Sequence, residues 1–306
     1  MEPFHYADRL QVAIAEKGTP IVVGLDPRPE LLPAVLRDGA VASGPESRAQ
    51  IAARIFAFNQ RVIDAVAPIV PAVKPNIAFY ECWGAPGIEC WERTILHARE
   101  RGLIVIGDVK RSDMGSTAKA YAAAHLTGPA ALDAITVNPY LGGDSLDPFI
   151  EAAAANGRGV YVLVKTSNPG SADLQDLPAG GGPVYGRVAD LVAARGDRFL
   201  GTSGESLVGA VVGATFPAIA AELRERMPNA PFLLPGYGAQ GASAQDVLAG
   251  FRADGSGGLV NSSRGIIFAY RRHPWATRFT AETWEGAVRA AAEAMRDDLG
   301  AAFAGA

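Results

Sequence analysis

The chain has little of what metal-binding or disulfide-stabilised proteins need, with two cysteines and four histidines among its 306 residues. Cys82 and Cys90 form no CxxC pair and have no partner histidines at metal-ligand spacing. We therefore expect no bound metal, and we expect both thiols to be ordinary, partly buried side chains in a reducing compartment. The sequence assigns no role to either cysteine.

Long apolar runs and an excess of positive charge are also absent. No early segment resembles a signal peptide, and no run approaches the roughly 18 apolar residues of a membrane span. The formal net charge of -4 provides no basic surface for nucleic acid. We expect a cytoplasmic protein with neither a membrane nor a nucleic-acid partner, in which any bound phosphate belongs to a small molecule.

What the sequence does contain is a regular alternation of short apolar runs and helical stretches, in a chain that is 49% hydrophobic. One such stretch, residues 47–67, has apolar side chains at helical spacing behind Ser47, which predicts a helix capped by that serine. Eight runs are predicted to be strands: 21–25, 69–73, 103–107, 134–137, 159–164, 209–213, 231–234 and 258–260.

Eight β-α alternations without a second compositional block predict an α/β protein with a (β/α)8 TIM barrel, in one domain over residues 1–306. A doubly wound open sheet is the alternative fold. In a barrel, the active site lies where the carboxyl ends of the strands open into loops.

Charged side chains follow several of the predicted strands at that end. Asp26 follows the first strand, Lys74 the second, and Asp108 with Lys110 the third. Residues two apart on a strand point to the same face, and neighbouring strands lie about 4.8 Å apart, so Lys74 should face the Asp108–Lys110 pair.

Together with Asp113, these residues form an alternating Lys-Asp-Lys-Asp chain. Opposite neighbours allow such groups to stay ionised in a partly desolvated pocket. A purely structural ion-pair network is the alternative interpretation.

The loops after the seventh and eighth strands have a different composition. Residues 235–241 are glycine-rich and include Gln240, whereas residues 261–265 place Arg264 beside Gly265. Glycine lets backbone N–H groups approach an anion, and these two loops are the usual phosphate site of a TIM barrel. We predict a phosphate grip formed by these loops.

In their order and spacing, these motifs resemble those of the orotidine-5′-phosphate decarboxylase family, in particular its longer bacterial subfamily. The resemblance covers residues 20–270 and rests on Gly24-Leu25-Asp26-Pro27-Arg28-Pro29, Val73-Lys74-Pro75-Asn76, Asp108-x-Lys110-x-x-Asp113, Val137-Asn138-Pro139-Tyr140-Leu141-Gly142, Thr166-Ser167-Asn168-Pro169-Gly170, residues 235–241 and Arg264-Gly265. It implies conversion of orotidine 5′-monophosphate to uridine 5′-monophosphate and CO2, the last step of de novo pyrimidine synthesis, by a homodimer without metal or organic cofactor.

The resemblance also implies roles for individual residues. Lys110 corresponds to the acid that protonates C6 of the pyrimidine, and Asp108 to the carboxylate beside the departing CO2 group. Lys74 and Asp113 correspond to the rest of the charged chain, and Asp113 is expected to reach the partner subunit's site. Substrate-binding positions are Asp26 and Thr117 for the ribose, Ser167 for the pyrimidine, and Gln240, Arg264 and Gly265 for the phosphate. Ser112 and Met114 depart from the residues common in the family, but neither change removes a chemical group.

Three other functions are compatible with parts of this pattern. A Mg2+-dependent sugar-phosphate decarboxylase or aldolase shares D-x-K-x-x-D but carries an acidic metal ligand where Lys74 stands. A Schiff-base aldolase would use Lys165 or Lys110. A phosphate-sensing barrel would bind a nucleotide without turning it over. Residues 168–186 are predicted to form a mobile lid or, alternatively, a surface insertion without function.

Overall fold

Eight parallel strands close into a barrel in chain order, in a computed structural model that describes residues 4–37, 47–238 and 241–305. The strands are β1 Ile21–Leu25, β2 Ala72–Pro75, β3 Ile104–Arg111, β4 Ala134–Val137, β5 Gly159–Lys165, β6 Val208–Val212, β7 Phe232–Pro235 and β8 Gly258–Ser262. Each predicted run overlaps one of them. The (β/α)8 prediction is confirmed, and the open-sheet alternative is wrong because β8 pairs with β1.

Helices alternate with these strands. The α-helices of the described residues are α1 Tyr6–Lys17, α2 Ala34–Arg37, α3 Arg48–Val66, α4 Ala78–Glu81, α5 Ala85–Glu100, α6 Gly115–Leu126, α7 Asp147–Ala155, α8 Ala172–Gln175, α9 Val184–Gly196, α10 Pro217–Arg226, α11 Ala244–Leu248, α12 Arg264–Ile267 and α13 Trp284–Ala304. Within the described ranges, none of them has the length and apolarity needed to cross a membrane.

Helix α3 begins where the sequence predicts, because Ser47 forms a capping box with Gln50. Its buried face includes Phe58, whose ring stacks against Phe268 at 5.8 Å and Trp284 at 5.2 Å between centroids. Trp284 begins α13, so this aromatic stack attaches the last helix to the outer layer of the barrel.

The amino-terminal end of the barrel is packed by α1. The hydroxyls of Tyr6 and Tyr161 lie 3.0 Å apart in the core, and Gly159 leaves room for the ring of Tyr6. The carboxyl ends of the strands are therefore the end at which polar side chains can surround a ligand.

Two strands depart from regular pairing near that end. The register of β3 on β4 shifts between Gly107 and Arg111, and Lys110 has a left-handed φ of +44°. The register of β5 on β6 shifts between Leu163 and Lys165. A single extra residue changes the face from which the following side chains project, so the irregularity in β5 redirects Lys165, whereas β3 gains two residues and keeps its alternation.

Candidate active site

A cavity of about 620 Å³ lies at the carboxyl ends of the strands. Its walls differ in chemistry. Charged groups stand on the side formed by the first three strands, the apolar side chains of Leu163, Val211 and Leu233 come from β5, β6 and β7, and serines and an arginine follow β8. A ligand here would meet ionised groups on one side and a low-dielectric surface on the other.

The charged side is built around Asp108. Lys74 Nζ lies 3.0 Å from Asp108 Oδ2, and Lys110 Nζ lies 2.5 Å from Asp108 Oδ1. Because the Lys74 side chain is 6% exposed and that of Asp108 is 10% exposed, their pairing is largely shielded from water. The predicted juxtaposition of these three residues is confirmed.

Two uncharged groups complete the surroundings of the carboxylate. The Thr136 hydroxyl donates to Asp108 Oδ1 at 3.0 Å, and Asn76 Nδ2 donates to Oδ2 at 3.3 Å. The Lys110 backbone N–H donates to the Thr136 hydroxyl oxygen at 2.9 Å. Thr136 thus holds both the carboxylate and the left-handed backbone of Lys110.

These contacts determine the protonation states. Burial raises the pKa of Asp108, but the ammonium groups of Lys74 and Lys110 outweigh burial and hold it well below its usual range. Burial lowers the pKa of Lys74, but Asp108 and then Asp26 outweigh it and raise the pKa above its ordinary value. The carboxylate and the buried ammonium are therefore both ionised at neutral pH.

Lys110 differs from Lys74 in being accessible. Its side chain is 49% exposed, and it lines the cavity while contacting Asp108. Asp26 also lines the cavity, and its Oδ1, like Oδ1 of Asn261, is buried with no hydrogen-bond partner among the described residues. The site thus combines a reachable ammonium group with two acceptor oxygens.

The predicted phosphate side lies after β7 and β8. Gly236 and Gly238 have φ angles of +124° and +66°, a backbone that side-chain-bearing residues rarely adopt. Arg264 is exposed and lines the cavity with Ser263, which fits there because a Cβ on Gly24 would lie 1.8 Å from its hydroxyl oxygen. Gln240 lies outside the described residues.

Ser167 lines the cavity at the end of β5, as predicted. It packs directly on Gly213, the residue after β6, because a Cβ added there would lie 3.0 Å from Ser167 Cα. Gly265 lies immediately behind Arg264 and is not among the described lining residues. It abuts Ser262, whose hydroxyl would lie 3.3 Å from an added Cβ.

Two predicted residues are not brought into the cavity of the described chain. Asp113 accepts a hydrogen bond from the Met114 backbone N–H at 2.8 Å, and Thr117 is exposed on α6. Neither belongs to the described cavity lining. The alternating chain is therefore Lys-Asp-Lys within one subunit, without its fourth member, because β3 ends before Asp113 and the backbone turns into α6.

Lys165 follows a different course from the other strand-end charges. The register shift leaves Val164 as an extra residue, so Lys165 points to the opposite face from Leu163 and leaves the cavity. Its amine is fully buried and paired with Asp176. Asn138 also lies outside the described lining, to which β4 contributes Thr136.

Several cavity residues were not assigned a role from the sequence. Arg28, Asn76 and Asn261 stand in the quoted motifs just beyond or at strand ends, a position that could have marked them. Thr136 could have been found as the polar residue of an otherwise apolar strand. No spacing rule indicated that it would bind Asp108.

The cysteines take no part in this cavity. Cys90 is buried as expected, whereas Cys82 is exposed, because it follows the short helix α4 at the surface. Burial raises the pKa of the Cys90 thiol to about 12. In the described part of the chain, no group of three or more His, Cys, Asp or Glu side chains could hold a metal ion.

The fold and the cavity define a TIM-barrel enzyme with a Lys74–Asp108–Lys110 cluster on one side of its cavity and Arg264 at the rim. The chain belongs to the orotidine 5′-phosphate decarboxylase / HUMPS family, whose model matches residues 19–277.

Relatives extend over nearly the whole chain. An orotidine 5′-phosphate decarboxylase of Rhodopirellula baltica is 47% identical over 300 residues, covering 96% of this chain and 98% of the relative. A Clostridium perfringens orotidine 5′-phosphate decarboxylase is 41% identical, covering 87% of this chain and 89% of the relative. The structure of Leishmania donovani OMP decarboxylase is 33% identical with a TM-score of 0.76, covering 99% of this chain and 100% of that one.

Asp108→Asn should make stability less sensitive to acid. Because the pKa of Asp108 is lower in the folded chain than its unfolded value of about 3.9, its carboxylate contributes stability that is fully present above that value and lost as the pH falls. From about pH 6 to about pH 3, the unaltered protein should lose about 1 kcal/mol more unfolding free energy than Asp108→Asn. Urea titrations at both pH values measure this difference. The exposed control Asp144→Asn should behave like the unaltered protein, and equal losses in all three would contradict the assignment.

Proposed function

We propose that this chain converts orotidine 5′-monophosphate to uridine 5′-monophosphate and CO2, with Lys110 as the acid that protonates C6. The observation that carries the proposal is the Lys74–Asp108–Lys110 cluster, held at the mouth of the barrel with its outermost ammonium exposed to the cavity. Family membership and 47% identity to a decarboxylase over nearly the whole chain support the reaction.

The chemistry requires stabilisation of a poor carbanion. The bond between C6 and the carboxylate breaks, CO2 leaves, and the electron pair stays on C6. An ammonium group placed beside C6 before the reaction stabilises this charge without having to reorganise. Lys110 Nζ then transfers its proton to C6, and water reprotonates the amine after product release.

Asp108 supports this step in two ways. Its ionised oxygen orients the Lys110 ammonium, and in this proposal the substrate carboxylate binds close to its charge. Repulsion between the two carboxylates would be relieved when CO2 leaves. Orientation of Lys110 is by itself a sufficient role for Asp108. Lys74 keeps the carboxylate ionised in a buried setting.

Groups far from C6 would supply binding energy that positions the pyrimidine ring. In this proposal Arg264, the adjoining Gly265 and Gln240 hold the phosphate, Ser167 contacts the pyrimidine, and Asp26 and Thr117 contact ribose hydroxyls. The positions of Arg264, Ser167 and Asp26 in the cavity lining support their share of this assignment.

Asp113 is proposed to complete the site of a second subunit in a homodimer. Its carboxylate lies outside the described lining of its own cavity, at the turn between β3 and α6. Large apolar side chains are exposed in the loops after the adjacent strands β3 and β4: Met114 at 57%, Tyr140 at 75% and Leu141 at 42%. Such a surface beside Asp113 supports a two-fold interface, in which each subunit donates its aspartate to the other.

The alternative functions fit the geometry less well. Lys74 stands in the cavity and pairs with Asp108, where a Mg2+-dependent relative would place an acidic ligand. Lys165 is buried and paired outside the cavity, so it is not positioned to form a Schiff base with a cavity ligand. Turnover that survives EDTA would exclude the first alternative, and failure of borohydride trapping would exclude the second.

Lys110→Ala should abolish turnover of orotidine 5′-monophosphate while the protein still binds uridine 5′-monophosphate, because the proposed phosphate contacts lie elsewhere. The decrease in substrate absorbance, measured in the presence of EDTA, reports turnover, and calorimetry reports product binding. The unaltered protein is the positive control. Substantial residual decarboxylation by Lys110→Ala would contradict its role as the acid.

Arg264→Ala should lower kcat/KM, because it removes a charge-assisted phosphate contact. The loss of transition-state stabilisation should be roughly 2 kcal/mol or more. Steady-state kinetics with orotidine 5′-monophosphate and with orotidine, which lacks the phosphate, separate this contact from a structural effect. Only the phosphorylated substrate should be affected. Equal losses for both substrates would show that Arg264 acts structurally.

Mixed dimers of Lys110→Ala and Asp113→Ala should regain activity that neither parent has. In a hybrid dimer, the intact Lys110 of one subunit meets the intact Asp113 of the other, so one of the two sites is complete. Random exchange makes about half of the dimers hybrids, so activity should reach roughly a quarter of the unaltered level. Differential tags confirm hybrid formation, and inactive hybrids would disprove the shared site.

A further inference from the structure

Lys165 is the last residue of β5, and its ammonium group is buried outside the cavity, behind the segment that follows the strand. Its side chain is 0% exposed. Nζ contacts Asp176 Oδ1 at 2.5 Å and donates to the Ser171 hydroxyl oxygen at 3.1 Å. The ring centroid of Phe216 lies 4.7 Å from the same nitrogen. Both polar partners belong to the segment that follows β5, so Lys165 joins the barrel wall to that segment.

A second set of contacts joins the same segment to the residues that line the cavity. The Thr166 backbone N–H donates to Gln175 Oε1 at 2.9 Å, and Gln175 Nε2 donates to the Thr166 hydroxyl oxygen at 2.8 Å. The Thr166 hydroxyl donates to Asn168 Oδ1 at 2.6 Å. Gln175 immediately precedes Asp176, so a shift of the carboxylate would be transmitted directly to Thr166.

Ser167 lies between these contacts and has little freedom to move toward β6. Its backbone N and Cα would lie 3.1 and 3.0 Å from a Cβ on Gly213. The Gly213 backbone N–H also donates to the Lys165 carbonyl oxygen at 2.7 Å. The segment is thus held by two sets of contacts, one with Gly213 just after β6 and one through the Lys165–Asp176 ion pair.

We propose that the Lys165–Asp176 ion pair anchors residues 166–176 and thereby positions Thr166, Ser167 and Asn168 at the cavity. Lys165 and Asp176 are then positioning residues, since neither belongs to the described cavity lining. The pair can do this because a buried ammonium group that loses its carboxylate is strongly unfavourable, so the segment is held in the position in which the two charges meet. This inference rests on the proposed function, in which Ser167 contacts the pyrimidine.

The test compares ligands that share a ribose phosphate and differ in the base. Asp176→Asn should weaken binding of uridine 5′-monophosphate by at least about tenfold and lower kcat/KM for orotidine 5′-monophosphate similarly. Binding of ribose 5-phosphate should change by less than about twofold, because the proposed phosphate contacts follow β7 and β8. Calorimetry and steady-state kinetics give these values.

Asp190→Asn is the matched control. Asp190 Oδ1 pairs with Arg226 Nη1 at 3.1 Å, and its side chain is 51% exposed, against 40% for Asp176. Asp190 lies on α9 and does not contact Lys165. This variant should leave both ligand affinities unchanged. An Asp176→Asn protein that behaves like the control, or one that loses affinity for both ligands equally, would overturn the proposal.

A second variant separates anchoring from stability. In Lys165→Met/Asp176→Leu both charges are replaced by apolar groups, so no buried charge is left unpaired and the fold should be retained. The proposal expects this protein to show the same base-dependent loss, with a near-normal unfolding transition. Full activity of the double variant would overturn it. If the unaltered protein fails to decarboxylate orotidine 5′-monophosphate, the proposed function fails instead, and the comparison of ligand affinities still tests the anchor.

Discussion

The carboxylate of Asp108 between two ammonium groups is the constraint on which the rest of the site depends. An aspartate that is only 10% exposed stays ionised here because Lys74 and Lys110 each approach one of its oxygens. Residues on neighbouring strands must therefore reach one point from different directions, which a closed barrel with fixed strand spacing provides. Thr136 and Asn76 occupy the remaining acceptor positions. The cluster is thus a complete network in which each ionised group has an opposite partner, and the exposed member is the one available to a substrate.

Strand irregularities determine which charges take part. A regular pleat at the end of β5 would place the Lys165 side chain on the same face as Leu163, toward the cavity. The register shift instead sends Lys165 to the outer face, where Asp176 compensates its charge. On β3 the register shift adds two residues rather than one, so Asp108 and Lys110 keep the same face and Lys110 Nζ reaches Asp108. Among the described residues other than glycine, the left-handed backbone falls on Lys110, in the cavity lining.

In the proposed reaction, the chemical step and the binding of the phosphate take place on different sides of the cavity. Ionised groups come from β1 to β3, whereas Gly236 and Tyr237 after β7 and Arg264 after β8 stand at the rim. Contacts at the rim would hold the ligand without changing during the reaction, so their energy can position the ring against the charged side. The apolar surface of Leu163, Val211 and Leu233 lowers the local dielectric and strengthens the charge interactions.

The sequence by itself determined the barrel fold and the presence of charged residues at the carboxyl ends of its strands, because alternating apolar runs and charges at strand ends are local patterns. It placed Asp26, Lys74, Asp108, Lys110, Ser167 and Arg264 correctly in the cavity lining. Only the tertiary structure decided that Lys165 leaves the cavity and that Thr117 lies outside the described lining of its own subunit. A single extra residue in a strand reverses the face of all that follow, and such a bulge depends on pairing with the neighbouring strand. Thr136 escaped notice for the same reason, since its contact with Asp108 joins residues 28 positions apart through the register of two strands.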